Sequence, residues 1–317
     1  MRKARIVSTL AASLALVLLI AGVAQSVVQI ELVVGGKGEQ YRGFANDSYV
    51  VYTSRLPRTR VSSALARSVA DGVETTLNAD GTNGNVGGID PTTNVVLYQQ
   101  WTRGRSGLFL YDLDTGERRQ AAGVNSRFWE WNPLMSSTFI VYALDRVRDG
   151  VVYTSLKVFH REDLVTRTLG TWRWDRTRMF PGSAGGSYLT YTTCTKSNCS
   201  AYLYNWDTGA KQRIPTVNGR AQYAPVIDEV NSTVHFTRSG DRCGQSVGIW
   251  RLPVPLADGD EPTQVVDLPR GIDTGWESSL TADSETGQMD LYFERWNCAN
   301  KTGDVYVAGG VDREQTT

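Results

Sequence analysis

The sequence predicts an all-β protein, and three observations predict it. A unit of four short strands recurs six times along the chain. Long runs with helical periodicity are absent. The sixth unit lacks its fourth strand, while one unpartnered strand stands near the N-terminus, so the units are complete only if the chain closes on itself. Together these give a six-bladed β-propeller with four-stranded blades, the N-terminal strand closing the last blade.

The elements follow in order. Residues 1–24 read as an export signal: "MRKAR" is a basic start, Ile6–Val23 an apolar run with Ser and Thr, and "GVA" supplies small residues before Gln25. Cleavage after Ala24 is expected; an uncleaved membrane anchor is the rival, since a span needs about 20 apolar residues. No Cys follows the apolar run, so the lipoprotein route is closed. "VVQIELVV" (Val27–Val34) is the lone strand. The propeller is expected over 25–317, with blades near 40–78, 79–122, 123–170, 171–216, 217–269 and 270–309 plus 27–34.

Two markers carry the repeat. The second strand of each unit ends in an aromatic: Tyr52, Tyr98, Tyr142, Tyr191, Phe236 and Phe293, in steps of 46, 44, 49, 45 and 57. The turn after the third strand falls at Gly72, Gly116, Asp163, Gly209 and Gly259, in steps of 44, 47, 46 and 50. Each blade reads as strands a to d, with a longer loop between b and c. Fourth strands are "ETTLN", "ERRQA", "VTRTLG", "KQRIP" and "TQVVDL". After the third strand of blade six, "DVYVA" (Asp304–Ala308), only "GGVDREQTT" remains. Val27–Val34 fills that gap, because an open ring would expose two sheet edges. "SSALARSVADGV" (Ser62–Val73) has a weak helical look, but its place in the repeat makes it a strand and turn.

Composition excludes some functions. Of 33 Lys and Arg, removal of the signal takes Arg2, Lys3 and Arg5, leaving 30 against 33 Asp and Glu, so the remaining chain is weakly acidic. That is no footprint for nucleic acid. Its 293 residues could bury roughly 75% of their unfolded surface without metals.

"WNPLMSSTFIVY" (Trp131–Tyr142) resembles the W-S-P-D-G-x-x-I-A-F unit of TolB-like propellers. "FPGSAGGSYLTY" (Phe180–Tyr191) and "APVIDEVNSTVHF" (Ala224–Phe236) are weaker copies, and "LYDLDTG" and "LYNWDTG" match the strand that follows. The P-D-G turn is nowhere intact. The resemblance implies a six-bladed ring and an exported location, in a family whose namesake is a protein-interaction partner in the cell envelope.

Loops alternate between two faces of such a ring. The b–c and d–a face carries seven of nine tryptophans (Trp101, Trp129, Trp131, Trp172, Trp174, Trp276, Trp296) and many arginines, including Arg127, Arg146, Arg173, Arg176 and Arg178. The other face has short acidic turns, which read as solvated hairpin ends. "WEW" (Trp129–Trp131) and "WRW" (Trp172–Trp174) stand 43 residues apart, as if at equivalent blade positions. Two readings stand: packing between blades, or an aromatic shelf for a sugar or a peptide side chain. On the second, Trp129, Trp131, Trp172, Trp174, Arg127, Arg173 and Arg176 are the contact residues.

The four cysteines all follow the export signal, as in a disulfide-forming compartment. Of three possible pairings, the loop sorting selects Cys194–Cys199 across one hairpin and Cys243–Cys298 between the last two blades. Loop-closure entropy values them at ~2 and ~4 kcal/mol. No zinc spacing occurs, and no metal or cofactor is expected.

The chain has two histidines. His160 ends the third strand of blade three; His235 lies inside the second strand of blade five, where a hydrogen-bonded core residue is expected. No G-x-S-x-G is present. Carboxylates on the loop face (Glu130, Asp145, Asp175, Asp241, Asp273, Glu277, Glu294) could serve glycoside cleavage or pair with the arginines. "DLDTG" (Asp112–Gly116) and "NADGTNG" (Asn78–Gly84) read as turns, not calcium loops. The expectation is therefore an exported binding or scaffold propeller, its partner a protein or glycan outside the cytoplasm, without nucleic acid, and touching membrane only through an uncleaved N-terminus. The alternatives are a carbohydrate-active enzyme using two of these carboxylates, or a purely structural chain of an envelope assembly.

Overall fold

The structure, a computed structural model, describes residues 30–36, 38–56, 59, 61–196, 198–216, 222–238, 248–268, 271–282 and 287–311, the side chains at 273 and 275–278 excepted. The expected export signal (residues 1–24), Asp241 and Cys243 lie outside this set. So do the side chains of Asp273, Trp276 and Glu277.

β1 (Ile30–Val34) opens the described chain. Blade one follows as β2 (Glu39–Ala45), β3 (Tyr49–Arg55), β4 (Ser62–Ser68) and β5 (Glu74–Thr76). Blade two comprises β6 (Asn83–Ile89), β7 (Val95–Thr102), β8 (Arg105–Asp112) and β9 (Arg118–Gln120). Blade three is β10 (Trp129–Met135), β11 (Phe139–Arg148), β12 (Val151–His160) and β13 (Val165–Arg173). Blade four is β14 (Arg178–Gly185), β15 (Tyr188–Cys194), β16 (Cys199–Asn205) and β17 (Lys211–Arg213); blade five is β18 (Gln222–Asp228), β19 (Thr233–Arg238), β20 (Gly248–Pro253) and β21 (Thr263–Asp267). Blade six supplies β22 (Ile272–Ala282), β23 (Met289–Asn297) and β24 (Thr302–Ala308). Its sheet runs β1-β24-β23-β22, so the N-terminal strand does close the ring. The pairing is antiparallel, from Ile30 opposite Ala308 to Leu32 opposite Tyr306.

The reason the repeat is aromatic is visible in the packing. Six buried clusters occupy the six blade junctions. Tyr98 packs with Val51 and Ala64 of blade one, Tyr142 with Leu97 and Leu108 of blade two, and Tyr191 with Val141 and Leu156 of blade three. Phe236 packs with Ala201 and Leu203, Phe293 with Ile249 and Val266, and Tyr52 with Val34 and Val305 at the closing seam. Each marker aromatic thus fills the gap to the preceding blade, burying large apolar area where flat sheets splay. The seam cluster is the smallest: its buried members are Val34, Ala45, Val50, Tyr52 and Val305. Ser279 Oγ and Thr281 Oγ1 of blade six reinforce it, donating to Gly43 O (2.7 Å) and Ala45 O (2.8 Å) of blade one.

The innermost strand of every blade carries an irregularity in its register with the second strand, between Tyr41 and Phe44, Val86 and Gly88, Trp131 and Leu134, Pro181 and Ala184, Tyr223 and Val226, and Thr274 and Ser278. Arg42, Asn132 and Ala224 have positive φ there. A bulge frees backbone groups from the ladder, and neighbouring blades use them: Thr190 Oγ1 donates to Pro225 O (2.7 Å), and Ile227 N donates to Ser183 Oγ (2.7 Å).

Two expectations about loops change. The b–c connections of blades two and three are two-residue turns, Arg103–Gly104 and Asp149–Gly150, not longer loops. Asp149 and Gly150 both have positive φ, the twist a tight hairpin requires. The two Trp motifs also occupy different positions: Trp129 and Trp131 lie on the inner strand β10, Trp172 on the outer strand β13. Blade three is drawn out, with ten-residue β11 and β12 and nine-residue β13 where the fourth strands of blades one, two and four have three. That extension moves the second motif off the repeat position. Ser62–Ser68 is a strand, as the repeat required.

Candidate functional site

At the mouth formed by the a–b turns, the six inner strands enclose a cavity of about 400 Å³. Every blade contributes. Phe44, Ile89, Leu134, Ala184, Val226 and Leu280 are among the apolar groups of its wall. Small residues at the strand ends make the space: Ser136 and Ser137, Ser183 to Gly185, and Ser279. Several wall hydroxyls are already committed between blades, as Ser183, Ser279 and Thr281 show. Among the described residues, the charged groups lining the cavity are Asp47 and Glu229, with no Lys, Arg or His. Glu229 is held in place, its Oε2 accepting Gly186 N at 2.6 Å. The chamber is apolar with an acidic rim, a setting that attracts cations and repels anions.

Its frame is rigid. Arg161 Nη1 donates to Asp90 Oδ2 (2.7 Å), Ser136 O (2.7 Å) and Ser137 O (2.9 Å), tying the turns of blades two and three. Burial works against ionisation of Asp90, yet the bonds from Arg161 and Thr92 hold its carboxyl below the usual range. One step along blade one's inner strand from the cavity, Arg42 is buried and its Nη2 donates to Pro133 O of blade three at 2.8 Å. Gly87 of blade two leaves room for this: a Cβ there would lie 2.7 Å from that same oxygen.

The opposite mouth holds the residues singled out from sequence. Trp131, Trp174 and Phe180 pack on one another, with centroids 5.5 to 6.1 Å apart and Trp131 nearly perpendicular to both partners. Trp172 lies 5.8 Å from Tyr191 of blade four, so it fills a junction. Trp129 is half-buried on the same sheet face as Trp131. Arg178 stacks on Trp174 at 5.4 Å, and Arg173 is bidentate with Asp175 (2.8 and 3.2 Å). Arg127 stacks on Phe128; Arg176 is exposed in the d–a turn. The predicted set is thus spread over both sides of blade three. Cys194 and Cys199 form a disulfide across their hairpin; the Cys243–Cys298 expectation falls partly outside the described residues.

The carboxylates separate as well. Trp129 pairs with Asp145 and Glu130 with Leu144, so alternation puts Asp145 and Glu130 on opposite faces of the blade-three sheet. Glu130 is fully buried toward blade two; its Oε1 accepts Ser126 N (2.8 Å) and Oγ (2.5 Å), and burial raises its pKa. Burial also raises Asp145, against its bond from Thr154 (2.6 Å). These two cannot flank one bond. Asp175 is spent on Arg173. Among the described residues, no group of three or more His, Cys, Asp or Glu is placed to hold a metal ion.

His160 ends β12 as expected, stacked on Trp206 at 5.8 Å. His235 departs from expectation. It is wholly buried, yet neither ring nitrogen has a hydrogen-bond partner among the described residues. Burial, with Arg251 adding its charge, lowers its pKa to about 3. It is a neutral packing group, because the strands set it between Val226 and Arg251, where a second positive charge is disfavoured.

The cavity residues had a signal that went unread. Runs of small residues where an inner strand ends ("MSS", "GSAGG", "SSLTA") mark a wall that stands back from the axis.

No protein-family model matches the chain, and neither does any curated protein. Solved structures do. The TolB of Acinetobacter baumannii matches at 10% identity with TM-score 0.52, over 83% of this chain and 63% of its own. This chain therefore spans less than two thirds of that protein. A TolB-like protein of Agrobacterium tumefaciens matches at 15% identity with TM-score 0.55, covering 86% and 90%. An oligogalacturonate lyase, solved in complex with manganese, matches at 13% with TM-score 0.54, covering 90% and 95%. Likeness at this level speaks for the fold alone: the chain is a six-bladed β-propeller, with a fold similar to that of these proteins.

Proposed function

We propose that this chain is an exported, non-catalytic binding propeller. Its ligand inserts an apolar, neutral or cationic segment into the cavity at the a–b mouth. The observation that carries this reading is the cavity itself: six blades converge on one apolar chamber rimmed by Asp47 and Glu229. Export is supported by the basic-then-apolar N-terminus and by the Cys194–Cys199 bridge. The separation of Glu130 from Asp145 weighs against the carbohydrate-active alternative, which needs two carboxyls across one bond. Docking on the Trp/Arg mouth remains the second reading, favoured by the way blade three is drawn out, with exposed Val147 near its tip.

Calorimetric titration with octyltrimethylammonium and octyl sulfate, below their micellar concentrations, tests the first reading. One cationic probe per chain is expected, with affinity falling at least about tenfold in Ser137→Trp, which fills the chamber. Equal binding of the sulfate, or no effect of Ser137→Trp, would remove the cavity from the account.

A further inference from the structure

On the other mouth, the blade-two side of blade three gathers positive charge that pairs with no acid among the described residues. Arg127 and Arg146 both stack on Phe128, their guanidinium carbons 5.1 and 4.5 Å from the ring centroid. Two cations on one ring repel each other, and a phenyl face is a weak counterweight. Lys157 points to the same side, since it pairs with Tyr142, which faces blade two. Burial lowers the lysine's pKa, and the charge of Arg146 lowers it further. None of these three forms an ion pair among the described residues. The Nε of Arg146 is buried without a hydrogen-bond partner. Glu130, the nearby carboxyl on this side, turns its Oε1 to Ser126 and forms no ion pair with either arginine or with Lys157 among the described residues.

Two guanidiniums held by one aromatic ring are pre-oriented donors, and their forked N–H groups match the edges of an oxyanion. The strands make the arrangement firm: Arg146 lies near the end of ten-residue β11, and Arg127 immediately precedes Phe128 in the turn before β10. We propose that Arg127 and Arg146, with Lys157 adding charge behind them, form a binding site for an oxyanion group — a sulfate, a phosphate or a carboxylate — of a ligand approaching the b–c mouth. This site is independent of the cavity and of opposite charge preference.

Thermal melts in sodium sulfate, sodium phosphate or sodium glucuronate, each against sodium chloride of equal ionic strength, test it. A saturable rise of the melting temperature above the chloride control is expected for at least one oxyanion. Calorimetry should then show that affinity falls at least about tenfold in Arg127→Gln and in Arg146→Gln, and less in Arg146→Lys, which keeps charge but not the fork. Arg148→Gln, at the exposed hairpin tip, should bind like wild type. Response to glucuronate but not sulfate assigns a carboxylate ligand; the reverse assigns a sulfate or phosphate ester. No oxyanion effect beyond chloride, or unchanged affinity in both glutamine variants, would overturn the site. Neither result bears on binding of the cationic probe at the other mouth.

Discussion

The two mouths of this ring are built on opposite plans. At the b–c mouth the side chains are large, and they consume one another: Trp131, Trp174 and Phe180 pack together, Trp172 fills a junction and Arg173 neutralises Asp175. At the a–b mouth the side chains are small, and the space they leave becomes a chamber. Trp and Arg enrichment therefore marks where matter is concentrated, whereas concavity is written in serine, alanine and glycine. The contrast extends to charge, acidic around the chamber and basic around Phe128.

The comparison breaks altogether if the ring opens, and that is the largest effect expected. Deleting Gln25–Val34 removes β1, exposes the edge of β24 and strips Val34 from the smallest junction cluster. The truncated chain should elute as aggregate and lose its cooperative urea transition. A monomer with wild-type midpoint would mean that neither mouth depends on closure.

A second prediction concerns blade five, which contributes wall to the chamber. His235 is held neutral in the fold, with a pKa near 3 against about 6.5 in the unfolded chain. Below about pH 6.5 the unfolded state takes up a proton that the fold refuses, so stability falls as pH drops toward 3. The slope reaches about 1.4 kcal/mol per pH unit. Glu130 and Asp145, raised by burial, act with opposite sign, so the test is a difference. Urea melts at pH 6 and 4.5 should show a smaller loss for His235→Gln than for wild type. Equal losses would show that this ring titrates freely.

The smallest effect is a gain. Leu164 occupies the turn position held by Gly116 and Gly209 in blades two and four, with φ of 56° beside their 73° and 72°. A branched side chain is strained there, and Leu164 is largely exposed with no packing to recover the cost. Leu164→Gly should stabilise the protein by about 1 kcal/mol without touching either mouth. An unchanged or lower melting temperature would place the strain elsewhere.

What was legible in the sequence follows from which features repeat. Aromatics from Tyr52 to Phe293 recur because every junction needs one large apolar group, so period and blade number could be counted. The unpaired strand at Val27–Val34 was legible for the same reason: a missing fourth strand is a counting fact. The inner-strand bulges were not, since Arg42, Asn132 and Ala224 share a backbone conformation but no chemistry. Nor was the drawn-out blade three, where tight Asp149–Gly150 pairing turns an apparent loop into strand and displaces "WRW" from the repeat. That His235 finds no hydrogen-bond partner among the described residues depends on neighbours from two other strands, which no local pattern reports.

Hydrogen exchange with saturating octyltrimethylammonium tests the difference between the mouths most directly. Added protection should appear at Leu134–Ser137 and Ser183–Gly185, with Trp172–Arg178 unchanged. Protection confined to Trp172–Arg178, with none at the inner-strand ends, would contradict the claim that the chamber is where this propeller binds.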